Sequence, residues 1–105
     1  MDTREVHEMA VEVMSKQQDL FQAVEADTAA VYALEDAKAQ AIIDGSIIGK
    51  NAEEREAKAA QVLQPFIGQQ RITKAKVAHA KMMLDRAVMN WERVKYTIRL
   101  FEVTK

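Results

Sequence analysis

The sequence predicts an all-α protein: a long antiparallel helical hairpin, coiled-coil-like, with a short third helix at the corner, self-associating as a homodimeric helical bundle. Three observations carry this. First, apolar residues recur at Val77, Ala80, Leu84, Ala87, Trp91, Val94, Ile98 and Phe101. Steps of three and four residues are the period of a helix seam that packs on another helix. Second, the 105 residues include only three glycines and one proline, where average usage gives roughly twelve. They fall in two windows, Gly45/Gly49 and Pro65/Gly68. Third, no stretch holds a period of two, so no sheet is expected.

The first helix is expected over residues 3–44. Asp2 or Thr3 can cap it, and Glu5 stands at the capping-box distance from Asp2. Its apolar stripe reads Val6, Ala10, Val13, Leu20, Val24, Val31, Leu34 and Ala41. Gln17, Asp27 and Lys38 fall on the same stripe and are expected at its edge, reaching solvent.

A loop follows at 45–51, where Gly45 can take the left-handed conformation that stops a helix. Asn51 is placed to cap the next helix, with Glu54 at the box position and Glu53 in the positive first turn. Ile47 and Ile48 are unusual for a solvent loop and are expected to tuck back onto the helices. The second helix is read over 52–63. Pro65 lacks a backbone donor and disfavours a helical Gln64, so a break or a strong kink is expected across 64–68. The third helix is read over 69–103, and the whole chain as one helical domain.

This last helix carries a second apolar line, Met82, Met89, Tyr96 and Val103, spaced by seven with Leu100 beside it. In heptad terms it lies opposite the main seam. A helix apolar on two faces is shared within a bundle or between chains. These five residues are therefore the candidate interface of a homo-oligomer, a dimer.

The net charge of −1 is unevenly spread. Residues 1–63 carry six Lys/Arg against thirteen Asp/Glu, a balance of −7, and residues 64–105 carry nine against three, a balance of +6. Two halves lying against each other with matched charges would explain this. A basic face meeting nucleic acid is the alternative, with Arg71, Lys74, Arg86, Arg93 and Arg99 as candidate contacts. Arg86 and Arg93 neighbour Met89 and Tyr96, so basic and aromatic groups interleave.

Chemistry has little to work with. Cysteine is absent, which removes disulfides, thiolate nucleophiles and Cys-ligated zinc together. His7 and His79 stand in no metal-ligand spacing, and Ser15 and Ser46 stand near no histidine in sequence. The run Gly45 to Asn51 fails as a phosphate loop, having three residues between its glycines, an Asn after the Lys, and a helix before it. No catalytic residue, cofactor or metal is assigned. The start MDTREVHEM has no apolar core and is not a secretory signal, so a cytoplasmic location is expected. No apolar run approaches the roughly 20 residues that cross a bilayer.

One segment resembles a known group. Ala37-Lys38-Ala39, followed by Ile47-Ile48-Gly49-Lys50-Asn51-Ala52-Glu53-Glu54-Arg55-Glu56-Ala57, is similar to a corner pattern of short all-helical proteins of bacteriophages and prophages. The resemblance covers about a quarter of the chain, from Ala37 to Leu63. It implies a phage-type accessory protein that binds a larger machine or inhibits a host factor, in a bacterial or phage-infected cell. It brings no catalytic residues.

Overall fold

The computed structural model describes residues 2–45 and 47–104, the side chain of Thr104 excepted. Two helices account for nearly all of it, α1 (Thr3–Ile43) and α2 (Ala52–Thr104), and no strand occurs among the described residues. The fold is a helical hairpin. It divides into a corner unit, residues 24–76, and an open-end unit, residues 1–23 with 77–105.

Both helix starts are built as their sequences dictate. Asp2 Oδ1 accepts the Glu5 N–H at 2.9 Å, which satisfies one orphan donor of α1. At α2, Asn51 Oδ1 accepts the Glu54 N–H at 2.9 Å. The Glu54 carboxylate reaches back to the Lys50 N–H at 2.7 Å, one residue beyond the usual capping-box partner. α1 ends at Gly45, whose N–H donates to the Ile42 carbonyl at 3.2 Å and whose φ of 71° turns the chain that follows out of the helix. Gly49 is needed for a different reason. A Cβ there would lie 2.7 Å from Glu54 Cβ and 2.8 Å from the Arg55 nitrogen, so the loop passes too close to α2 for any side chain. Ile47 is half-buried, whereas Ile48 is exposed and lies against Gly45. Ser46 lies outside the described residues.

Pro65 does not break the chain into a second and a third helix. α2 runs through it, and the short helix 52–63, the break 64–68 and the separate helix 69–103 are one element. Proline removes one N–H from the ladder, leaving the Gln61 carbonyl without its partner. Gln61 and Pro65 are both exposed, so water can take that bond. On the inward side Leu63 and Thr73 are buried and Ile67 and Gln70 half-buried, and their packing continues through the proline turn.

Burial along α2 follows the expected seam. Ala80, Ala87 and Val94 are buried, and Val77, Leu84, Trp91 and Ile98 half-buried. Phe101, expected to close it, is exposed. It borders a groove with Asp2, Thr3 and Val6, of which only Val6 offers an apolar surface.

Most of the expected stripe of α1 is inward: Ala41 is buried and Val6, Ala10, Val13, Leu20, Val31 and Leu34 are half-buried, while Val24 is exposed. Lys16, Ala23, Asp27, Ala30 and Ala37 are inward as well, so that residues three places after Val13, Leu20, Asp27 and Leu34 join the seam. The buried apolar residues are Ala30, Ala41, Leu63, Ala80, Ala87 and Val94. Alanines let two helix backbones approach closely but bury little area each. As expected, Gln17 and Lys38 reach solvent.

Candidate interaction faces

Asp27, expected at the edge of the stripe, instead faces inward. Within the corner unit its Oδ1 lies 2.8 Å from the hydroxyl of buried Thr73, which donates to it. The Gln70 carbonyl lies 3.0 Å from the same hydroxyl. A hydroxyl has one proton, and the charged carboxylate is the stronger acceptor. This polar layer sits inside an otherwise apolar seam, where such groups fix register.

The outer face of α2 in the open-end unit is apolar. Met82, Met89, Tyr96, Leu100 and Val103 are 44%, 70%, 62%, 66% and 84% exposed, respectively. Buried Ala80, Ala87 and Val94 stand two places before Met82, Met89 and Tyr96, and so about opposite them on the helix, which sets this line on the side of α2 away from α1 within that unit. In a helix pair that position is ordinarily polar. The arginine of Arg99 stands 6.0 Å from the Tyr96 ring centre, a loose cation–π contact.

The five cations considered for nucleic acid, Arg71, Lys74, Arg86, Arg93 and Arg99, are all exposed. Arg71 and Lys74 belong to the corner unit and the other three to the open-end unit. The expected charge matching between helices is not realised as ion pairs. Among the described residues the ion pairs are Lys16 with Glu12 and Asp19, at 3.7 and 3.8 Å, and Lys95 with Glu92 at 3.1 Å. All lie within one helix, so the acidic and basic surpluses of the two halves face solvent instead.

Two open grooves mark the surface. One, about 470 Å³, is lined by Ala60, Gln61, Gln64, Ile67, Gly68 and Arg71 in the corner unit, where Gly68 leaves a gap beside the proline turn. The other, about 480 Å³, lies at the open end and includes Asp2 and Glu102. Asp2 there is occupied as a helix cap. No cluster of metal-ligating side chains occurs among the described residues, and none of their helices is long and apolar enough to cross a membrane. Ser15, His7 and His79 are exposed and line neither of these two grooves. In comparisons with known proteins, no family model, no curated protein and no solved structure matches the chain.

Sequence reading found the outer apolar line of α2 but missed the Asp27–Thr73 layer. Thr73 follows Gln70 by three residues, on the seam of α2, and that spacing was the available signal.

Proposed function

We propose that the protein is a non-enzymatic protein–protein interaction module, a phage-type accessory, adaptor or inhibitor that acts through its helix faces in the cytoplasm of a bacterial or phage-infected cell. One observation carries the interaction reading. Met82, Met89, Tyr96, Leu100 and Val103 form an exposed apolar line on the outer face of α2. Scattered exposed hydrophobics are normal, but five of them aligned along one helix face mark a binding surface. Its first occupant is a second copy of the chain, giving a coiled-coil-like homodimer. The phage assignment is supported by the corner pattern around Gly49, Lys50, Asn51, Glu54 and Arg55.

Light scattering after size exclusion tests this directly. The wild-type mass is expected at twice 11.9 kDa. Met89→Glu with Tyr96→Glu should leave helix content intact and return the mass to one chain. A wild-type mass of one chain at every concentration would remove self-association.

Nucleic-acid binding is the second reading, supported by the exposed Arg86 and Arg93, which make no ion pair among the described residues. It requires an affinity for duplex or single-stranded DNA that falls steeply with salt and with Arg86→Ala and Arg93→Ala together. Binding that is absent or insensitive to salt would end it.

A further inference from the structure

We infer that two copies pair in parallel and in register through the outer line of α2, so that an acidic flank of each copy faces a basic flank of the other. The inference rests on the self-association proposed above and adds its orientation.

Residues three and four places after any helical position stand on opposite sides of it. Three places after Met82 and Met89 come Asp85 and Glu92, and four places after come Arg86 and Arg93. Beside Met82 and Met89 the apolar line is therefore bordered by carboxylates along one side and guanidinium groups along the other, and beside Tyr96 the same two sides carry Arg99 and Leu100. All four charged residues are exposed. Asp85, Arg86 and Arg93 make no ion pair among the described residues, and Glu92 makes only the solvent-accessible contact with Lys95.

Symmetry then selects the orientation. A two-fold axis parallel to the helices sets each left flank against the second copy's right flank. Asp85 meets Arg86 of the second copy, Glu92 meets Arg93, and each contact occurs twice. A two-fold axis perpendicular to the helices sets like flank against like flank. Centred on Glu92, such an antiparallel pair gains Asp85 against Arg99 but opposes Glu92 to Glu92 and Arg93 to Arg93, and juxtaposed like charges disfavour it. Centred on Tyr96, it gains only Glu92 against Arg99, twice, and leaves Met82, Asp85 and Arg86 without a counterpart, against four opposite-charge contacts in the parallel pair. In the parallel pair Met82, Met89, Tyr96 and Val103 each stack on their own copy.

The absence of cysteine makes the test clean, because any introduced thiol is the only one. Met82→Cys and Tyr96→Cys, made separately in the full chain, stand about 21 Å apart along α2. Only a parallel, in-register pair brings both positions to their own copies, since an antiparallel axis can pass near one at most. Each variant is expected to form a disulfide-linked dimer under mild oxidation at least tenfold faster than an exposed Ser15→Cys control. Asp85→Arg with Glu92→Arg should weaken dimerisation at least tenfold, and adding Arg86→Glu with Arg93→Glu should restore it. A dimer by mass whose Met82→Cys and Tyr96→Cys chains link only to each other in a mixture, or in which no more than one links to itself, would overturn the orientation while leaving self-association standing. A mass of one chain throughout would overturn both.

Discussion

The corner unit and the open-end unit are built from the same two helices but hold together by different means. In the corner unit, directional polar contacts supplement the burial of Leu63, Ala30 and Ala41. They are the Asn51 and Glu54 caps, the Gly45 stop and the Asp27–Thr73 bond. In the open-end unit the inward contacts are mainly apolar, led by Ala80, Ala87 and Val94, with half-buried Lys16 paired to Glu12 and Asp19 of its own helix, and the outer face carries an apolar line. Polar contacts are unforgiving of a shifted register, whereas alanine seams tolerate one. The difference teaches where the pairing of α1 with α2 is specified: near the corner, with the open end following and its outer face available for other contacts.

Removing the largest buried side chain of the corner unit should break this comparison most strongly. Leu63→Ala should cost about 2–5 kcal/mol in urea unfolding, the range for a buried leucine. A loss below 1 kcal/mol would place the stability elsewhere. Next, Asp27→Ala should cost about 1–2 kcal/mol, because a buried hydroxyl then keeps only the Gln70 carbonyl. Adding Thr73→Val should recover most of that loss, since replacing both partners by apolar groups is nearly neutral. If the double variant is worse than Asp27→Ala alone, the layer is not a matched pair. The smallest effect belongs to the cap. Asn51→Ala should cost about 1 kcal/mol and should raise amide exchange at Glu54 while leaving the open-end unit unchanged.

Much of this fold was legible in the residues, for reasons that also explain what was not. The caps at Asp2 and Asn51 and the stop at Gly45 are local chemistry, complete within a few residues. The α2 seam was legible because its alanines alternate with Leu84, Trp91 and Ile98. On α1 the same logic misled at Val24, which outranks Ala23 in hydrophobicity yet is exposed while Ala23 is half-buried, and it overlooked buried Ala30 beside half-buried Val31. Close helix approach selects the small residue for the centre and leaves the branched one at the flank. The Asp27–Thr73 bond joins residues 46 apart in sequence and requires the pairing register, which no local pattern contains. Pro65 was legible as a lost hydrogen bond, but whether packing outweighs that loss depends on what Leu63 and Thr73 touch. The outer line of α2 was visible at once, because seven-residue spacing alone defines it.

The alanine seam has a thermal consequence. Among the described residues no large side chain is fully buried, so unfolding transfers little apolar surface to water. The heat capacity of unfolding should then fall below the roughly 1.2–1.5 kcal/mol/K usual for a chain of about 100 residues. A small heat capacity flattens the stability curve. The hairpin should keep a nearly constant stability between refrigerator and body temperature, and its melting should spread over a wide interval.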